Sequence, residues 1–127
     1  MDEIERMTIL NQDGMLLWTA RSYWLVGVLN LVLAVAGPIY FLGYAPQAEP
    51  PLPWAPAIGF GAGTCFGGVV GGALHLAAAS GLGRGSKWGW DLAMFLSLWF
   101  LPTCCFPFGL FFLGALVRGK VRTAFLG

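Results

Sequence analysis

Residues 57–80 read AIGFGAGTCFGGVVGGALHLAAAS, and this stretch contains no charged side chain. It is long enough to cross a bilayer, since a membrane-spanning helix needs about 20 apolar residues. On either side of it, a second charge-free stretch lies between Arg21 and Glu49, and a third between Asp91 and Arg118. Hydrophobic residues make up 57% of the chain and charged residues only 10%, against roughly 25% charged residues in soluble domains. The sequence therefore predicts an all-α integral membrane protein.

The third stretch is interpreted as a short hairpin, because its centre reads LPTCCFP and two prolines flank a turn there. We predict an interfacial N-terminal segment, 1–21, with no cleaved signal because its start is acidic, followed by a transmembrane domain, 22–127. Four spans are expected, at 22–43, 57–80, 86–101 and 107–122. The predicted fold is a four-helix bundle with two full spans and a short Pro-turned helical hairpin.

The distribution of charge predicts the topology of these spans. The connector 45–56 carries five prolines and no Lys or Arg, whereas basic residues flank the hairpin at both of its ends. Because positive charge collects on the cytoplasmic side, we expect both termini in the cytoplasm. The six tryptophans fall at predicted span ends, as in the aromatic belts of membrane proteins.

The most regular pattern is a glycine series in the second span. Glycines recur there every four residues, with two more beside them: Gly59, Gly63, Gly67, Gly71, Gly68 and Gly72. Small residues at this spacing let another helix approach closely, so we predict helix packing, against either another span or another chain. A nucleotide-binding loop is not expected because no Gly-Lys-Ser/Thr follows.

His75, Asn30 and Asp91 are the polar residues that the spans place near one level of the inner leaflet. Ionisable groups inside a membrane usually face the protein interior and find partners, so these three form a candidate polar cluster. In the alternative, His75 bonds to a carbonyl or reaches outward, and Asp91 pairs with a neighbouring Lys or Arg. His75 is also a candidate axial ligand for haem or a chlorin.

The cysteines Cys65, Cys104 and Cys105 lack zinc-site spacing and partner histidines, so no metal site is predicted. Cys104 and Cys105 are either buried thiols or a point of cross-linking between chains. No carboxylate lies in the middle of a span, which argues against ion-coupled transport. No nucleophile has a base nearby in sequence, and a net charge of +1 gives no footprint for nucleic acid. We therefore expect that the protein is not an enzyme and has no nucleic-acid partner.

The C-terminal half carries a family resemblance. Its basic Gly/Arg loop before Trp88, the segment FPFG at 106–109 and the closing basic segment 118–125 resemble small uncharacterised bacterial inner-membrane proteins with four helices. The resemblance implies that fold and a multi-pass location in the bacterial inner membrane.

The predicted function is that of a non-enzymatic accessory or assembly subunit, whose glycine-rich face packs against transmembrane helices of a homo-oligomer or a larger membrane complex. The shortness of the hairpin arms also favours shelter by other protein. A small oligomeric transporter or channel is the first alternative, and a haem- or chlorin-binding subunit using His75 is the second.

Overall fold

The computed structural model describes residues 1–103 and 105–127. This part of the chain is all-helical, with 86% of residues in helices and no strand, which confirms the all-α part of the prediction. The elements in chain order are α1 (Glu3–Gln12), α2 (Gly14–Ile39), a π-helical turn (Tyr40–Tyr44), a 3-10 turn (Ala45–Gln47), α3 (Trp54–Gly83), α4 (Lys87–Phe100), α5 (Phe106–Val117) and α6 (Gly119–Leu126).

The helices form two compact units. The hairpin unit is Leu25–Leu74, which holds the second part of α2 and the first part of α3. The terminal unit combines Met1–Trp24 with His75–Gly127. All Lys and Arg residues belong to the terminal unit, and the hairpin unit carries Glu49 alone among charged residues.

Helix α2 begins earlier than the predicted span. Its N-terminus is set by Asp13, whose carboxylate accepts a hydrogen bond from the Leu16 backbone N–H at 2.9 Å, because the first N–H groups of a helix lack partners within it. The predicted boundary at residue 21 therefore falls inside a continuous helix. At the other end, Pro38 cannot donate a backbone hydrogen bond, and a π-helical turn follows at Tyr40–Tyr44.

Helix α3 also exceeds its prediction, since it starts at Trp54 and not at Ala57. Pro56 lies in its first turn, where backbone N–H groups have no partner within the helix, so the missing N–H of proline costs no hydrogen bond. The rigid connector is correspondingly shorter than the predicted 45–56.

Two helical stretches are long and apolar enough to cross a membrane. They are Gly14–Gln47, with a mean hydropathy of 2.2, and Trp54–Gly83, with 1.5. Only 17% and 22% of their most apolar segments are buried inside the protein. The core helix of a soluble protein would be mostly covered, so these helices keep a large apolar surface unburied.

The predicted hairpin is present as two short helices, and residues 101–103 and 105 between them form turns. Cys104 lies outside the described residues. Its arms are shorter than predicted. Helix α4 has 14 residues and α5 has 12, about 21 and 18 Å at 1.5 Å per residue, against a hydrocarbon core of ~30 Å. The predicted span 107–122 is interrupted because Arg118 adopts extended backbone (φ −56°, ψ 133°) between α5 and α6.

The terminal unit has a core that collects side chains from every helix. Its buried members are Leu10, Leu16, Tyr23, Ala78, Ala79, Leu82, Ala93, Leu96, Phe112, Leu116, Val121, Ala124 and Phe125. Leu10 of α1 and Phe125 of α6 are each 4% exposed, and burying such a side chain from water contributes about 1.5–3 kcal/mol. The Arg6 guanidinium donates to the Gly85 carbonyl at 3.3 Å and ties α1 to the α3–α4 connection.

Candidate functional site

The glycines of α3 lie on two different faces of the hairpin unit. A Cβ atom placed on Gly68 would lie 2.5 Å from the Asn30 carbonyl oxygen and 2.8 Å from the Ala34 Cβ atom. One placed on Gly72 would lie 2.8 Å from the Leu31 side chain. Contacts this short cannot form, so only glycine lets α2 and α3 approach here. Gly68 and Gly72 thus pack within the chain.

The other face carries Gly59, Gly63 and Gly67, which repeat every four residues. A Cβ atom on any of them would meet nothing within 4 Å. Among the α3 glycines of the hairpin unit, the tight contacts with α2 are therefore at Gly68 and Gly72 and not along this column. We call Gly59, Gly63 and Gly67 the open glycine stripe.

Gly71 and Asn30 meet at the edge of the packed face. The Asn30 side-chain oxygen would lie 3.3 Å from a Cβ atom on Gly71, and its amide nitrogen donates to the Val26 carbonyl at 2.9 Å. A hydrogen bond within its own helix satisfies part of this side chain without a distant partner. Asn30 belongs to the helix contact of the hairpin unit.

His75 lies in the terminal unit and is 9% exposed. The Tyr23 and Phe100 rings contact it, each with its centroid 5.7 Å from that of the imidazole, and Phe112 packs against both of those rings. A porphyrin could reach so covered a side chain only if packed neighbours moved away. Haem or chlorin ligation by His75 therefore remains a prediction that the packing does not favour.

Asp91 lies away from the buried face of α4. Asp91 is exposed on α4, whereas Ala93 and Ser97 of that helix are fully buried. Since two residues span about 200° around a helix, Asp91 lies on the opposite side of α4 from Ala93. Asn30 belongs to the hairpin unit and His75 to the terminal unit. The cluster of His75, Asn30 and Asp91 stays a prediction.

A buried polar network not predicted from the sequence lies next to His75. The Tyr23 hydroxyl donates to the Ala93 carbonyl at 2.9 Å and shares a hydrogen bond with the Ser97 hydroxyl. Ser97 in turn lies 2.8 Å from the Ala93 carbonyl, and both side chains are fully buried. The only sequence signal was two hydroxyl groups in apolar stretches, far apart in the chain.

A second feature missed from the sequence joins α3 to α4. The backbones of Gly81 and Gly89 lie so close that a Cβ atom on either would overlap the other residue. Ser86 secures the connection, since its hydroxyl and its backbone N–H both donate to the Gly81 carbonyl at 3.0 Å.

Within the described residues, no three His, Cys, Asp or Glu side chains come together as metal ligands. Cys65 is exposed and Cys105 is half-buried, and both are free thiols. Cys104 lies outside the described residues, so the predicted cross-link at Cys104 and Cys105 stays a prediction.

Comparison of the chain with known protein families, curated proteins and solved structures finds no match. Its function is therefore argued from its own geometry.

Proposed function

We propose that this chain is a non-enzymatic membrane protein that packs against a transmembrane helix of another chain through the open glycine stripe. The membrane setting is supported by two long helices whose most apolar segments are only 17% and 22% buried. In water, contiguous apolar surface of this extent would drive aggregation. In lipid it is the ordinary solvated surface of a span.

The open glycine stripe is the observation that carries the proposal. Glycine in a helix interior is about 0.5–1 kcal/mol less favourable than alanine. At Gly68 and Gly72 the close approach of α2 offsets this cost, but Gly59, Gly63 and Gly67 meet nothing within 4 Å. A second helix seated on the stripe would gain the backbone contact that small residues at four-residue spacing provide in bilayers.

The residues beside the stripe suit a helix partner. Phe60, Phe66 and Val70 are 56%, 74% and 40% exposed, so they would flank a helix lying along the glycines. Neither charge nor hydrogen-bonding side chains interrupt this face, which makes van der Waals packing the source of affinity.

The sidedness of the protein follows from its charges. Every Lys and Arg lies in the terminal unit, and the positive-inside rule assigns such a unit to the cytoplasmic side. This supports cytoplasmic termini and an inner-membrane location. The short helices α4 and α5 then enter the bilayer as a re-entrant pair, which is tolerated where protein shelters it.

The test compares Gly63→Leu with Ala62→Leu in mild detergent and in bilayers. Ala62 is exposed and one residue away, about 100° around the helix, so it receives the same side chain off the stripe. Wild type and Ala62→Leu should run as the same discrete assembly in native mass spectrometry, as a self-oligomer or with a stoichiometric partner. Gly63→Leu should dissociate it while keeping its helix content. A monomeric wild type without a partner, or an intact Gly63→Leu assembly, would contradict the proposal.

A further inference from the structure

A groove in the terminal unit runs between the start of α2 and the end of α3. Its walls are apolar and include Leu17, Trp24, Leu76 and Ala79, and its polar groups come from Arg21 and Ser80. The groove has a volume of about 540 Å³, within the usual range of ligand sites. All of its lining residues belong to the terminal unit, whereas the open glycine stripe belongs to the hairpin unit.

Arg21 has no partner in the part of the chain that the structure describes. The Arg6 guanidinium pairs with Glu3 and Arg118 pairs with Asp13, whereas Arg21 is exposed and forms neither an ion pair nor a hydrogen bond with any described residue. A guanidinium has five N–H donors in a planar fork. Those of Arg21 are open to an acceptor outside the chain.

Ser80 also has an available hydroxyl. Helical hydroxyl groups often donate to the carbonyl four residues earlier, as Thr19 does to Met15 and Ser97 to Ala93. Among the described residues, the Ser80 hydroxyl makes no such bond. Two unused donors therefore line an otherwise apolar groove, Arg21 from α2 and Ser80 from α3.

We propose that this groove binds an anionic phospholipid. The lipid phosphate accepts hydrogen bonds from Arg21 and Ser80, and an acyl chain lies against Trp24 and Leu76. An arginine fork matches phosphate oxygens bidentately, while a tryptophan beside it is the residue expected where headgroup and hydrocarbon meet. Inorganic phosphate would leave the apolar walls unused, so the occupant is a lipid and not a free anion.

This inference rests on the membrane setting of the proposed function, but not on helix association. Arg21 and Ser80 take no part in the open glycine stripe. A variant of the stripe should therefore leave lipid binding intact, and a variant of the groove should leave the assembly intact.

The test titrates delipidated full-length protein in detergent with phosphatidylglycerol or phosphatidylcholine, and native mass spectrometry counts the bound lipids. Wild type should prefer phosphatidylglycerol. Arg21→Gln should weaken its binding at least about tenfold, as expected for loss of a charge-assisted contact, and Ser80→Ala should weaken it less. Arg122→Gln, which removes the same charge from an exposed position on α6, should bind as wild type. Arg21→Lys should fall between wild type and Arg21→Gln, because it keeps the charge but loses the fork.

The proposal is overturned if wild type binds both lipids equally, if Arg21→Gln and Arg122→Gln bind alike, or if excess inorganic phosphate displaces the lipid. Circular dichroism of each variant identifies any loss of fold, and the Gly63→Leu protein supplies the independent control. If that protein loses its assembly but keeps lipid binding, the two proposals have been tested separately.

Discussion

The Asn30 carbonyl oxygen lies 2.5 Å from the point that a Cβ atom on Gly68 would occupy. A methyl group at residue 68 would therefore push against the backbone of α2, which has no rotamer through which to yield. One residue away, Gly67 faces open space. Neighbouring glycines in one helix thus have opposite structural roles.

Gly68→Ala should lower the stability of the hairpin unit by about 1–3 kcal/mol, as overpacking typically does. In the dissociated monomer, where no partner covers the open glycine stripe, Gly67→Ala should be neutral or stabilising by up to about 1 kcal/mol, because alanine favours the helix. Thermal unfolding in detergent, followed by circular dichroism, checks the pair. Equal melting temperatures for the two variants would mean that the packed face has been misassigned.

Tyr23→Phe should destabilise the terminal unit by about 1–2 kcal/mol, because it removes a donor from the buried contact with Ser97 and the Ala93 carbonyl. The ring still packs against Phe112, so lost packing would not explain the effect. Tyr40→Phe is the matched control, since Tyr40 is 55% exposed.

The double variant Tyr23→Phe/Ser97→Ala sharpens this test. Removing both hydroxyl groups should cost less than the sum of the single changes, since residues of one hydrogen-bond network couple. Strict additivity in chemical denaturation would show that the two hydroxyls act independently.

Gly81→Ala should severely destabilise the terminal unit, by about 1–3 kcal/mol or more, because the added atom would meet the Gly89 backbone and not a flexible side chain. Gly83→Ala, in the same helix end but with nothing within 4 Å, should be tolerated. The total tryptophan fluorescence, to which Trp88 and Trp90 of α4 contribute, reports the unfolding. A Gly81→Ala protein as stable as Gly83→Ala would refute the close crossing of α3 and α4.

Asp13 should contribute more to the stability of the folded protein than its ion-pair partner Arg118. The Asp13 carboxylate both caps α2 and pairs with Arg118 at 3.0 Å. Asp13→Ala should cost about 1 kcal/mol or more from the lost cap, whereas Arg118→Ala should cost less than about 1 kcal/mol, since its side chain is 49% exposed. Asp13→Asn keeps a capping oxygen and should resemble Arg118→Ala. The melting temperatures of the three variants test this prediction. A lower melting temperature for Arg118→Ala than for both Asp13 variants would contradict it.

The positions of the long helices were largely predictable, because they depend on local composition. Charge-free stretches around 22–43 and 57–80 indicated the two long apolar helices, and the proline-flanked break between α4 and α5 was placed correctly. Their ends were less accurate. The Asp13 cap and the tolerance of Pro56 in a first turn depend on backbone geometry that hydropathy does not report.

The candidate site was only partly predictable. A four-residue glycine pattern in α3 contains two interleaved columns, and the spacing 59–63–67–71 is the more regular of them. Which column is covered depends on where Asn30, Leu31 and Ala34 of α2 come to lie, and this is a matter of register between helices. The exposure of Asp91 on α4 was not predictable for a related reason, since depth along a helix does not fix the direction in which a side chain points.

The helical class, the two long apolar helices and the absence of Lys and Arg between residues 22 and 83 could be read from the amino-acid sequence, because each follows from residue type within a short window. The tertiary structure decided which glycines pack and which stay open, that Tyr23 meets Ser97, and that Arg21 and Ser80 share one groove. These relationships join residues from different helices. The volume of the side chains between two helices sets how closely their backbones approach. The residues in each contact come from different helices, so no single stretch of sequence contains both of them.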